Sequence, residues 1–218
     1  MLRTLLIVVF TISILFALVI QVVGGLAYDT AYFRQVESFL APPGDCPSPC
    51  FMGIRPGFMT ANQAISILKS HPWVEKVTVS ADLENSFGGS IYWTWSAAAL
   101  PSQIDRYWQG HIVIVGGMVR NIRIRTNVRY GDLLVLYGRP QNGGFASASG
   151  HDYLLYRTVY VANGMETESY VACPLHLEQM WDAAVLVNVR LTTMDVLPAS
   201  GYNVYNWLDP SRCESRGR

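Results

Sequence analysis

A short segment rich in proline, glycine and cysteine, residues 46–60, does most to constrain how this chain can fold. It reads CPSPCFMGIRPGFMT. Its prolines exclude a regular helix or a central strand here, because proline has no N–H to donate and clashes with a preceding helical turn. Thr60 and Gln63 then have the spacing of a capping box, in which hydroxyl and amide satisfy free N–H groups at a helix start. We predict that this elbow (residues 46–60) separates an apolar N-terminal segment from a folded body.

The cysteines indicate an oxidising compartment. Cys46 and Cys50 flank the start of the elbow, Cys173 precedes a proline, and Cys213 lies in a polar tail. An even number of cysteines in such positions favours disulfides. A zinc site is the alternative, because Cys173 and His176 have a ligand-like spacing, but no second ligand pair accompanies them. We predict a Cys46–Cys50 disulfide, Cys173–Cys213 by default, and no metal site.

Residues 1–27 predict a membrane anchor. After Arg3 the chain is apolar almost without a break, and Gln21 is the only strongly polar residue in the run. Such a run can cross a hydrocarbon core of about 30 Å at about 1.5 Å per residue. A cleaved signal peptide is the alternative, since Gly25 and Ala27 are small, but its apolar core has only about 7–15 residues. Arg3 places the N-terminus in the cytoplasm by the positive-inside rule, and the body outside.

Beyond the anchor, the pattern predicts an α+β body with short helices packed on a mainly antiparallel sheet. Aromatic and β-branched residues predict strands at 73–79 and 90–96, and Gly116-Gly117 predicts a hairpin between two alternating runs. Residues 128–140 read as a short helix, and residues 142–150 as a flexible loop. Helix followed by strands thus occurs in residues 60–126 and again in 127–208, which suggests two repeats. Residues 28–59 form a juxtamembrane helix and the elbow, and residues 209–218 a loose tail.

Two sequence blocks resemble membrane-anchored extracytoplasmic proteins of the Chloroflexota. The family pattern runs roughly Pro-Cys-x-x-Gly-Ile-x-Pro-Gly-x-Thr and later Gly-Asp-Leu-Leu-x-Leu-Tyr-Gly-x-Pro; the blocks here are residues 49–60 and 131–140. More distantly, the helix starts are similar to the BamE-like and β-lactamase-inhibitor-protein-like α+β folds. Those folds imply an envelope binding module that acts through a sheet face and loops, without catalysis. Tyr28 stands where a BamE lipoprotein would have its lipidated cysteine, so the resemblance does not extend to a lipid anchor.

No motif identifies a catalytic site. The histidines, at 71, 111, 151 and 176, form no H-E-x-x-H motif, and neither a G-x-S-x-G elbow nor a P-loop is present. His151 and Asp152, beside Ser147 and Ser149, are the one candidate set for a small envelope hydrolase, and only geometry identifies a triad. We therefore expect no catalytic residue and no cofactor.

The charged residues are few and balanced. The chain has 16 basic and 16 acidic residues, so it lacks the basic surplus of a nucleic-acid binder. Arg123 and Arg125 alternate with apolar residues, as on the solvated face of a strand. Glu166 and Glu168 also lie two apart. We predict that these acids lie at a wet strand edge rather than in a calcium or glycosidase site.

An aromatic cluster supplies the tentative binding residues. On a strand, Trp93 and Trp95 share one face and Tyr92 lies on the other. The tryptophans belong either to the core or to an exposed platform for a protein partner or glycan. With Arg123 and Arg125 as a rim, these residues predict a non-catalytic binding module at the envelope, with a protein partner. The alternative is an accessory subunit of a larger membrane complex.

Overall fold

The computed structural model describes residues 3, 9–19, 30–42, 44–85, 88–98, 100–147, 153–173 and 176–191. The chain divides into two compact units, Met1–Val36 and Glu37–Arg218. In the first unit, residues 9–19 are helical and exposed. Among the residues described, no helix has both the length and the hydropathy needed to cross a bilayer. The predicted anchor of residues 1–27 falls in large part outside them.

The second unit is built on one eight-stranded antiparallel sheet. Its strands are β1 (Val74–Val79), β2 (Gly89–Trp95), β3 (Gly110–Val115), β4 (Met118–Arg129), β5 (Asn142–Ser147), β6 (Tyr153–Tyr160), β7 (Met165–Ala172) and β8 (Ala184–Arg190). Their order across the sheet is β1-β2-β3-β4-β8-β7-β6-β5. Each half is therefore a meander, and the antiparallel pair β4–β8 joins the halves at the centre.

Short helices accompany both meanders. They are Ala61–Ser70, Ala81–Asn85, Tyr130–Tyr137 and Leu177–Asp182, with a 3₁₀ turn at Val161–Asn163. A further helix, Thr30–Leu40, crosses the boundary between the two units in the sequence. One helix precedes β1 and another precedes β5, so the predicted α+β class is confirmed. The predicted strands at 73–79 and 90–96, the hairpin and the helix in 128–140 are also present. The boundary predicted between residues 126 and 127 falls inside β4.

The elbow folds as its sequence predicts. Cys46 and Cys50 form a disulfide. The N–H of Gln63 donates to Thr60 Oγ1 (3.4 Å), and the N–H of Thr60 donates to Gln63 Oε1 (2.9 Å), which completes the capping box. Cys173 is disulfide-bonded as well, so its thiolate is not a zinc ligand. Its predicted partner, Cys213, lies outside the described residues.

The core lies between the helices and one face of the sheet. The helix Ala61–Ser70 packs on β1 and β4, and the helix Leu177–Asp182 packs on β7. Alternate strand residues on this face are buried, as the period-two rule requires. They include Ile91, Trp93, Ile112, Ile122, Ile124 and Val187.

Two expectations for the second half of the sheet were wrong. Residues 142–147 were expected in a loop, but they form the edge strand β5 and pair along β6. Glu166 and Glu168 were expected at a wet edge, but β7 lies between β6 and β8 and each of these residues is only 5% exposed. Arg157 on β6 pairs with Glu168 and Arg190 on β8 pairs with Glu166, which offsets the cost of burying the two carboxylates.

Candidate binding groove

The sheet face opposite the helices carries an open groove of about 980 Å³. Strands β2, β3, β4 and β8 supply its floor, and the chain between β2 and β3 supplies one wall. Tyr153 on β6 and Tyr170 on β7 line the opposite side. The groove therefore uses residues from both meanders.

Three directly paired residues cross the floor, Tyr92, His111 and Arg123, and Arg123 pairs in turn with the buried Asn188 of β8. The rings of Tyr92 and His111 stack, with centroids 4.6 Å apart and planes 5° apart. His111 Nε2 forms a hydrogen bond with Ser90 Oγ at 3.0 Å. Burial lowers the pKa of His111 and the nearby Arg123 charge lowers it further, so the imidazole is neutral at pH 7.

Buried carboxylates hold the arginines of this face. Arg123 Nη2 donates to Glu168 Oε2 at 3.1 Å, and Arg157 Nε lies 3.1 Å from Glu168 Oε1. Arg190 pairs with Glu166. Burial raises the pKa of Glu166 although Arg190 opposes that shift. Two guanidinium groups thus share the single carboxylate of Glu168.

The wall between β2 and β3 is fixed by main-chain contacts with β4 and by a side-chain contact from β2. Asp105 N–H donates to Arg125 O at 3.1 Å, and Ile104 forms a β-bridge with Thr126. Trp95 Nε1 donates to the carbonyl of Trp108 at 2.7 Å. These contacts hold the wall against β2 and β4, so its aromatic residues are presented in a defined position.

Two aromatic side chains of this wall face solvent. Tyr107 is 83% exposed, and Trp108 is also exposed. The guanidinium carbon of Arg125 lies 4.5 Å from the centroid of the Trp108 ring, a cation–π contact. Arg125 Nε also lies 3.5 Å from Asp105 Oδ2.

The predicted binding residues divide between the two faces of the sheet. Tyr92, Arg123 and Arg125 line the groove. Trp93 is 1% exposed on the helix-covered face, and Trp95 is also buried. Of the two alternatives for these tryptophans, core or exposed platform, the structure shows the core. The sequence prediction did not include His111, although period-two alternation on the predicted hairpin places it on the face of β3 opposite Ile112 and Ile114.

The described residues offer no catalytic set in the groove. Ser90 and His111 are in contact, but no carboxylate on the other ring nitrogen orients the imidazole within this part of the chain. Likewise, no cluster of metal-ligating side chains occurs among the residues described. His151 and Asp152, the candidate hydrolytic pair, lie outside them.

The groove thus combines exposed aromatic rings, arginines and a neutral histidine on a rigid sheet. That arrangement can bind a ligand by stacking, apolar contact and charge-assisted hydrogen bonds. Comparisons of the chain with protein-family models, with curated proteins and with solved structures gave no match.

Proposed function

We propose that this protein is a single-pass membrane protein whose extracytoplasmic body binds a partner protein through the groove, without catalysis. The gathering of exposed aromatic side chains and arginines on one concave face carries the proposal. Tyrosine, tryptophan and arginine are the residues most enriched among interface anchors. The resemblance to envelope binding modules supports the same conclusion.

The rigidity of the groove supports binding over a merely solvated surface. Tyr92 stacks on His111, and the backbone of Trp108 is held by the indole of Trp95. A surface whose side chains are already ordered loses less conformational entropy when a partner docks. The groove therefore has the preorganisation that a specific interface needs.

Two observations support the location at the envelope. The apolar run of residues 1–27 has the composition of a spanning helix. The Cys46–Cys50 disulfide is typical of oxidising compartments. Together they favour an anchored body outside the cytoplasm.

The experiment that tests this function places a photo-crosslinking amino acid at Tyr107 in the full chain, in native membranes. The side chain is exposed at the groove, so we expect one discrete protein adduct. Lys69 is the control position, because it is exposed on the helix Ala61–Ser70 behind the sheet. Absence of an adduct at position 107, or the same adducts from both positions, would overturn the proposal.

Neighbouring aromatic residues on β2 give a paired test of the binding face. We predict that Tyr92→Ala abolishes the adduct and leaves the fold intact, because Tyr92 lies in the groove. Trp93→Ala should instead destabilise the body by about 3–5 kcal/mol, the usual cost of removing a buried large aromatic side chain. Thermal denaturation and adduct yield distinguish the two effects. Unfolding of the Tyr92 variant would show that this residue is structural.

A further inference from the structure

We propose that the groove binds its partner protein through a neutral carbohydrate chain carried by that partner, with sugar rings stacked on the exposed tyrosines. The inference rests on the proposed function, because it names the chemistry of the partner at the same site.

The first argument is the concentration of open aromatic surface. Four exposed aromatic side chains of the described body line the groove: Tyr107, Trp108, Tyr153 and Tyr170. Tyr153 and Tyr170 are each 54% exposed, so both keep ring surface for a ligand. The face of an aromatic ring carries partial negative charge, and it attracts the C–H groups on one face of a sugar ring. The groove therefore offers several stacking positions for sugars.

The second argument is the scarcity of aliphatic surface. Among the described residues that line the groove, Ile124 and Leu186 are the aliphatic ones; Ile124 is buried and Leu186 is half-buried. An apolar anchor of a polypeptide binds best in a pocket that fully excludes water. Rings that remain more than half exposed form an open platform instead. Such a platform suits a sugar, which stacks one apolar face and keeps its hydroxyl groups in water.

The third argument is the polar groups between the aromatic residues. Arg123 is paired with Glu168 and Arg125 with Asp105, so the groove does not require an acidic ligand. A guanidinium has five N–H donors, and one carboxylate does not use all of them. Gln109, also in the lining, adds an amide that both donates and accepts. Sugar hydroxyl groups can accept from the arginines and can donate to the amide oxygen.

The fourth argument is the length of the groove. Its lining extends from Tyr92 on β2 to Tyr153 on β6. In the sheet order these strands are five strand spacings of about 4.8 Å apart, or about 24 Å. The volume of about 980 Å³ is likewise at the upper end of ordinary ligand pockets. Both dimensions exceed a single sugar ring, so the groove suits a chain of several linked sugars.

The probes are neutral tetrasaccharides of glucose, mannose, galactose and N-acetylglucosamine units. Each is titrated into the full chain in a detergent without a sugar head group, and binding is measured by calorimetry. We expect at least one tetrasaccharide to bind with a Kd below about 1 mM. Its affinity should stay the same when salt rises from about 0.1 M to about 1 M, because a neutral ligand has no charge for salt to screen.

Variants connect the binding to the groove. Tyr170→Ala should weaken it at least about tenfold, or about 1.4 kcal/mol, whereas Tyr170→Phe keeps the ring and should retain most of the affinity. Tyr153→Ala gives an independent second test on the neighbouring strand. Phe58→Ala is the matched control, because Phe58 is 52% exposed and does not line the groove. A thermal melt of each variant confirms that it is folded.

Competition in native membranes links the sugar to the partner. An excess of the bound tetrasaccharide should reduce the adduct at position 107, and the adduct should stain as a glycoprotein after periodate oxidation. If the adduct forms and the tetrasaccharide leaves its yield unchanged, the carbohydrate inference is overturned and the binding function stands. If position 107 gives no adduct at all, the proposed function itself fails.

The titrations can overturn the inference on their own. Failure of every neutral tetrasaccharide to bind would do so, as would equal affinity of the wild type and both alanine variants of the groove. Tighter binding of an oligogalacturonate, lost at high salt, would assign the groove to acidic glycans. Competition by a leucine-containing peptide, without competition by any tetrasaccharide, would assign it to a polypeptide.

Discussion

Gly110, the first residue of β3, lies directly against the indole ring of Trp93. A β-carbon at this position would overlap that ring. Overpacking of this kind usually costs about 1–3 kcal/mol. We therefore predict that Gly110→Ala lowers the melting temperature by about 2–4 °C for each kcal/mol lost. Gly44→Ala is the control, because a β-carbon added at Gly44 would meet no atom within 4 Å among the described residues other than its chain neighbours. Equal melting temperatures for the two variants would contradict the close approach.

His111 gives a prediction about pH at the same scale. Burial and Arg123 hold its pKa below the ordinary value of 6.5 in the folded protein. As pH falls below about 6.5, the unfolded chain binds this proton before the folded chain does, so the folded state loses stability down to the lowered pKa. We predict that His111→Gln loses less stability than the wild type between about pH 7.5 and about pH 5.5.

Urea unfolding at both pH values measures this difference. The comparison with the wild type is necessary because other groups titrate too. Burial lowers the pKa of His71, which gives the same sign, whereas the raised pKa of Glu166 stabilises the folded protein on acidification. Both contributions are shared by wild type and variant and cancel in the comparison. A variant with the full acid sensitivity of the wild type would show that His111 does not contribute.

Among the helices, Ala61–Ser70 depends on its N-terminal cap. Thr60 and Gln63 satisfy one another's backbone N–H groups there. Loss of such a cap costs about 1 kcal/mol, so Thr60→Ala should lower the melting temperature by about 2–4 °C. Thr60→Ser keeps the hydroxyl oxygen and should retain most of the stability. If the alanine variant melted with the wild type in a thermal scan, the capping box would not stabilise this helix.

The strands show where sequence patterns stop being informative. β2 and the β3–β4 hairpin are predictable because apolar and polar residues alternate and glycines mark the turn. β5 begins Asn142-Gly143-Gly144, which is typical of a loop, and it becomes a strand only through its pairing with β6. β7 places glutamates on one face and threonine and serine on the other, so no apolar period identifies it. In both β5 and β7, pairing with the neighbouring strands determines the strand, and the local sequence pattern does not.

At the scale of the whole molecule, the groove depends on contacts that are distant in sequence. Arg123 and Glu168 are 45 positions apart in the sequence and meet across β8, which lies between β4 and β7 in the sheet. Alternation predicts that Arg123 and Arg125 share a face, but not that buried acids on a strand from the other meander hold one of them. The same strand, β7, also places Tyr170 in the lining of the groove. The sequence thus indicates the side chains of one half of the groove, and the sheet order supplies the other half.

The last prediction concerns the attachment of the whole chain to the membrane. The apolar run of residues 1–27 exceeds the core of about 7–15 residues typical of a signal peptide, so we expect the mature protein to retain it. A spanning helix is held by its hydrophobic surface and not by charge, so the protein should stay with the membrane pellet through an alkaline carbonate wash. N-terminal sequencing of the mature chain is the direct measurement, and it should begin at Met1 or Leu2. A sequence that begins at Tyr28, together with release into the supernatant, would show that the segment is cleaved. The protein that carries the groove would then be a secreted one.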